Sequence, residues 1–98
     1  MSAVDEHEID LGEAWRLHPQ VALRPESFGA LAYHFGTRRL SFLKSRALLA
    51  VVQRLAEHPD ALSACRAAGV DDGELPRYRR ALATLAGSGM IVRREAVR

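Results

Sequence analysis

Phe28-Gly29-Ala30-Leu31-Ala32-Tyr33-His34-Phe35-Gly36-Thr37-Arg38-Arg39-Leu40-Ser41-Phe42-Leu43 is the stretch on which the fold turns. Alanine content alone would permit a helix over residues 28–35. Gly29, Gly36 and three aromatic side chains weigh against one and suit a pleated, half-buried surface. Alternation then puts Gly29, Leu31, Tyr33 and Phe35 on one face and Phe28, Ala30, Ala32 and His34 on the other. Gly36-Thr37 predicts a tight hairpin turn. Arg39 to Leu43 follows as a strand, with Leu40 and Phe42 on one side and Arg39, Ser41 and Leu43 on the other.

Upstream, Val21 and Leu23 alternate with Ala22 and Arg24, the signature of another half-buried strand. Trp15 and Leu17 extend that alternation backwards. Pro25 is expected to end the strand, because proline cannot donate to a ladder. Downstream the period changes. Ser45 is a candidate N-cap, and Ala47, Leu48, Val51, Val52 and Leu55 recur at helical spacing. His58-Pro59 stops that helix. Asp60 opens a second, with Ala61, Leu62, Cys65 and Ala68 on one face and Gly69 at its end. A third runs from about Glu74 to Ala86 through Leu75, Tyr78, Leu82 and Leu85, with the carboxylates of Asp71-Asp72 as expected caps. Met90 to Val92 reads as a short extended end. The fold class is therefore α+β: an N-terminal three-stranded antiparallel sheet whose apolar face lies on three helices.

A chain of 98 residues fits one domain, which occupies residues 15–92 on this reading. A flexible acidic arm (1–14) precedes it and a polar tail (93–98) follows. Residues 1–13 hold five of the twelve acidic side chains and none of the fourteen Lys and Arg, so the body is basic. Cys65 is alone, which excludes an intrachain disulfide and any multi-cysteine metal site. Its small, apolar surroundings predict a core residue. No signal peptide is visible, and no apolar run approaches the ~20 residues of a membrane span. These features are those of a cytoplasmic protein with no membrane partner.

No catalytic constellation emerges. His7, His18, His34 and His58 are scattered, without a second ligand at helical spacing. Gly87-Ser88-Gly89 follows a helix rather than opening one, so it is no phosphate loop. No carboxylate pair has an evident pKa-shifting environment. What remains is charge: Arg38-Arg39 at the last strand, Arg77, Arg79 and Arg80 on the third helix, and Arg93-Arg94 after it. Two partner classes compete for these cations. A winged-helix DNA-binding protein would place the third helix in the major groove, but that helix carries few base-reading side chains. Alternatively, an extended peptide adds to an exposed sheet edge, which supplies backbone hydrogen bonds while neighbouring pockets select side chains.

The segment from His18 to Leu43 strongly resembles the mycofactocin-system peptide chaperones, which are RiPP recognition elements related to the small chaperone of pyrroloquinoline quinone biosynthesis. The resemblance is dense over residues 15–55, looser through the third helix, and specific in the phrase from Phe28 to Leu43. It implies a winged-helix-like recognition fold without catalysis. The implied partner is the mycofactocin precursor peptide, held by its leader and presented to a radical S-adenosylmethionine (SAM) maturase, with no nucleic acid involved. Cofactors are expected to be none for this chain; SAM and the iron–sulfur clusters would belong to the maturase. One groove wall would be Arg38, Arg39, Leu40, Ser41, Phe42 and Leu43. The other would be the exposed side of residues 74–82, with Arg77, Tyr78, Arg80 and Ala81 as the expected contacts. On this reading, proline at Ser41 removes a ladder donor needed by the peptide.

Overall fold

A computed structural model describes residues 9–94. Five strands and three helices follow in the order β1 (Trp15–Leu17), β2 (Val21–Glu26), β3 (Gly29–His34), β4 (Leu40–Leu43), α1 (Arg46–Arg54), α2 (Ala61–Ala67), α3 (Leu75–Gly87) and β5 (Ile91–Arg93). Single 3-10 turns extend α1 over Leu55–Glu57 and precede α3 over Asp72–Glu74. The architecture is α+β, as the alternation and helical stripes predict.

The strands form two sheets rather than one. β2, β3 and β4 make an antiparallel meander with β3 in the centre. β1 does not extend β2. It pairs antiparallel with β5, Trp15 opposite Arg93 and Leu17 opposite Ile91. The chain turns between β1 and β2 at His18–Gln20, where Val21 N–H donates to the His18 carbonyl at 2.9 Å. The extended end at residues 91–93 thus has its partner at the opposite end of the chain.

Pro25 does not end β2, which continues to Glu26 with Pro25 opposite Ala30. Phe35 N–H donates to the Gln20 carbonyl. In an antiparallel pair the bonded positions alternate, so Ala22, Arg24 and Glu26 bond to β3 while Pro25 turns its nitrogen outwards. On this outer strand the missing donor costs nothing. Ser27-Phe28 makes the two-residue turn into β3, so Phe28 lies in the turn.

The β3–β4 connection is longer than the expected Gly36-Thr37 turn, spanning residues 35–39. His34, only 4% exposed, organises it. Its Nδ1 accepts from the Gly36 and Thr37 amides at 3.0 and 3.1 Å. Arg38 adopts φ 65° to bring the chain back, donating its N–H to the His34 carbonyl.

Each helix shows its local cause. Ser45 Oγ accepts from Leu48 N–H at 3.0 Å at the start of α1. Asp60 Oδ1 accepts from Ser63 N–H at 2.7 Å at the start of α2. That bond holds the Asp60 carboxyl below its ordinary pKa. Losing an N-cap costs about 1 kcal/mol, so Asp60→Ala should lower stability by that order in denaturant unfolding. The Asp60 contribution is present above the unfolded carboxylate pKa and fades as pH falls through the depressed folded value. An unchanged unfolding midpoint at neutral pH would remove this role. Asp71 and Asp72 do not cap α3. Neither makes a side-chain cap bond, and Asp72 instead meets Arg66 at 3.3 Å. α2 and α3 both close through a glycine in the left-handed region, Gly69 (φ 89°) and Gly89 (φ 80°). The following amides, Val70 and Met90, reach back to Cys65 and Leu85, as such caps require.

The core lies between the inner face of the three-stranded sheet, the β1–β5 pair and the helices. Ala30, Leu43, Val51, Leu55, Ala61, Ala64, Cys65 and Leu82 are fully excluded from solvent. Residues 1–8 and 95–98, parts of the expected arm and tail, lie outside the described residues. Ile9 and Leu11 pack on the core, and Leu62 N–H donates to the Leu11 carbonyl.

Candidate peptide-binding groove

β4 is the outer strand of its sheet, and the phase of its hydrogen bonds decides what it offers a ligand. His34 N–H donates to the Arg39 carbonyl, and the register runs Tyr33–Leu40, Ala32–Ser41, Leu31–Phe42, Ala30–Leu43. Bonded pairs alternate, so Ser41 and Leu43 spend their backbone groups on β3. The N–H and C=O of Leu40 and Phe42 point away from the sheet. The expectation that Ser41 supplies a donor to a peptide is thereby corrected; its donor already belongs to β3.

A groove runs beside this edge. Two adjoining recesses of about 320 and 370 Å³ share Lys44, Leu48 and Ala81. The first also takes in Ser45, Arg77 and Tyr78. The second takes in Ser41, Phe42, Thr84 and Leu85. One wall is thus β4 and the start of α1, and the other is α3. Ala81, Thr84, Leu85 and Arg77 share a helix face because they lie three, four, seven and eight apart. Ser41 and Ser88 hydroxyls approach to 3.5 Å, tying the strand to the end of α3.

Of the residues singled out in the sequence, Ser41, Phe42, Arg77, Tyr78 and Ala81 line this groove. Leu43 is fully buried in the core. Leu40 is 59% exposed and offers edge groups rather than a groove wall. Arg38 and Arg39 are exposed in the loop before β4, and Arg80 is exposed on the flank of α3; none of the three lines the groove. Lys44, Leu48, Thr84 and Leu85 belong to the groove without having been singled out. Leu48 and Leu85 sit on the helical stripes assigned wholly to the core, and both stripes reach its edge.

The basic cluster divides. Arg79 faces a separate cleft with Ile9, Leu11 and Gly12, away from the groove. Arg77 meets Glu74 at 3.4 Å and stays largely exposed. Arg93 pairs with Glu13 at 3.1 Å. Arg94 donates from Nη1 to the Leu55 and His58 carbonyls at 3.0 and 2.9 Å, closing the end of α1. The Arg93-Arg94 pair therefore serves the fold. Lys44, exposed at the groove, has no ion pair among the described residues.

No group of three His, Cys, Asp or Glu able to hold a metal occurs among the described residues. Cys65 is fully buried, and desolvation pushes its thiol pKa up. Since the thiolate is the reactive form, a thiol reagent should label the native protein far more slowly than the unfolded one. Equal rates would contradict the burial. No described helix is long and apolar enough to cross a membrane.

An open strand edge beside a half-apolar groove, on a small α+β frame, offers unpaired backbone groups and recesses of the type used in strand addition. Residues 14–92 match the model of the peptide chaperone MftB family. Three relatives bear the name peptide chaperone MftB. That of Mycobacterium tuberculosis (strain ATCC 25618 / H37Rv) is 64% identical over 93% of this chain and 84% of the relative. That of Mycobacterium ulcerans (strain Agy99) is 67% identical over 90% and 81%. That of Mycolicibacterium smegmatis (strain ATCC 700084 / mc(2)155) is 61% identical over 86% and 82%. No solved structure gives a match. The chain belongs to the peptide chaperone MftB family, whose named role is that of a chaperone and not of an enzyme.

Proposed function

We propose that this protein holds the leader of the mycofactocin precursor peptide as an added strand along β4 and presents the peptide to a radical SAM maturase in the cytoplasm. The fold is read accordingly as a winged-helix-like RiPP recognition element. The observation that carries the proposal is the pair of outward backbone donors and acceptors at Leu40 and Phe42, directly beside the groove between β4 and α3. The peptide takes its hydrogen bonds from that edge. Side chains on one face enter the recesses around Leu48, Ala81 and Leu85. SAM and the iron–sulfur clusters belong to the maturase, and this chain needs no cofactor for holding a peptide.

Calorimetric titration with the precursor tests this directly. Saturable binding is expected for the full precursor and for the isolated leader, and none for a precursor lacking it. Equal binding without the leader would sink the proposal. A DNA-binding protein would show a steep salt slope on random duplex. Arg93 and Arg94 are engaged with Glu13 and with the Leu55 and His58 carbonyls, and Arg79 faces a different cleft from Arg77, which supports the peptide reading over that one.

Lys44 and Arg77 are the cations at the groove, in place of the Arg77 and Arg80 suggested by the sequence. Exposed pairs contribute only about 0.2–1 kcal/mol each, so their effect should appear in association rate. Lys44→Ala and Arg77→Ala should each slow precursor association by a few-fold at low salt and converge on the parent at high salt. Rates identical to the parent at low salt would exclude acidic leader residues at this end.

A further inference from the structure

The three-stranded sheet has a second face, which meets the groove only at Phe42. Phe28, Phe35, Leu40 and Phe42 are 46%, 58%, 59% and 60% exposed. Leu31 stands directly opposite Phe42 and Tyr33 opposite Leu40, so these side chains share one surface. Phe28 and Phe42 meet edge to face with ring centres 6.1 Å apart. Tyr33 and Phe35 do the same at 5.4 Å. The aromatics thus form one contiguous patch, and a contiguous exposed apolar patch marks an interaction site, unlike scattered single residues.

We infer that this outer face is the docking surface for a folded protein that acts on the peptide held at β4, one that offers an apolar patch with an acidic rim. The inference rests on the peptide-holding function proposed above. Shape favours a folded partner, because an open sheet face does not enclose an extended segment as the groove does. Charge sets the rim. Arg24 is held by Glu26 at 2.9 Å, whereas Arg38 and Arg39, at the loop end of the face, have no acidic partner among the described residues. A second copy of this chain would bring the same cations, with only the ion-paired Glu26 to answer them among the described residues of the face. Position gives the face its use. Leu40 and Phe42 turn their backbone groups to the edge and their side chains to this face, so a protein seated on the aromatics abuts a peptide strand laid along β4.

The test uses purified radical SAM maturase titrated into the chain loaded with precursor peptide. Phe35→Ser and Phe28→Ser lie outside both the β4 edge and the groove. Each should weaken maturase binding, and the pair together by roughly tenfold or more, as expected of central aromatic anchors. Precursor affinity should stay within about twofold, as for substitutions that leave a separate interface intact. Circular dichroism identifies a double variant that fails to fold, and the Phe35→Ser single variant then decides. Unchanged maturase affinity with normal precursor binding overturns the inference. Self-association of the parent that is lost in Phe35→Ser overturns it in favour of a second copy. Binding to anionic vesicles that is lost in the same variant overturns it in favour of a membrane. Failure of the parent to bind precursor at all refutes the peptide-holding function instead.

Discussion

Gly29→Ala should lower the thermal midpoint by about 8 °C or more, the largest effect expected from the loss of a single side-chain-free position in this domain. Gly29 opens β3 with φ 153°, and a Cβ there would collide with the Leu43 carbonyl and sit 2.8 Å from the Ser45 amide. Both obstacles are backbone. Leu43 is fully buried at the end of β4, and Ser45 caps α1, so neither can yield without moving an element. Unfavourable backbone torsions cost roughly 1–3 kcal/mol, and overpacking costs a similar roughly 1–3 kcal/mol. A domain of this length has only about 5–15 kcal/mol in total. Each 1 kcal/mol shifts the midpoint by about 4–8 °C at this size. Gly73→Ala is the control, since a Cβ there meets nothing within 4 Å. It should change the midpoint by no more than about 0.5 kcal/mol implies. If Gly29→Ala melted within a few degrees of the parent, the close approach of β3 to the β4–α1 junction would be wrong.

The same junction shows what was legible beforehand. Alternation over Gly29–Leu43 gave both strands and their faces, because one face is buried and the other is not; it misplaced Phe28, which the turn brings against Phe42 rather than beside Ala30. Ser45 and Asp60 were visible as caps because capping chemistry is local. The pairing of Trp15–Leu17 with Ile91–Arg93 was not visible, since no local pattern names a partner so distant in sequence. Pro25 misled because its effect depends on which side of an outer strand its nitrogen faces. Alternation put His34 on the face of Ala30 and Ala32 without a role, yet it holds the β3–β4 loop through two backbone amides. No periodicity distinguishes such an imidazole from any other buried one.

The candidate site divides along the same line. Arg77, Tyr78 and Ala81 could be placed on one side of a helix by spacing alone. Arg79 looked like their neighbour, but residues two apart on a helix face different ways. Arg93 and Arg94 looked available, and their engagement with Glu13 and with the end of α1 depends on tertiary contacts. Lys44 sits between a strand and an N-cap, where sequence offers no face at all. Hydrogen-bond phase along β4 was likewise hidden, because it is fixed by the loop at His34–Arg39 rather than by side-chain alternation.

That phase leads to the second large effect. Leu40→Pro and Phe42→Pro are each expected to cut precursor affinity roughly five- to hundredfold while leaving the fold intact; the corresponding alanine variants should lose much less. An outward N–H on an outer strand can be removed without breaking the ladder to β3. With the peptide in place, however, its carbonyl opposite that position is left buried and unpaired, at about 1–3 kcal/mol. The alanine variants remove the side chain and keep the donor, so the difference within each pair isolates the backbone contribution. Ser41→Pro should behave differently. It deletes a donor to Ala32 inside the sheet, so its first effect is loss of stability, measured by melting without any ligand. Leu40→Pro that folds and binds the precursor as tightly as Leu40→Ala would show that the peptide does not pair with this edge. The groove would then have to hold the peptide through side chains alone. In that case affinity should follow Leu48, Ala81 and Leu85, whose substitutions would become the stronger ones.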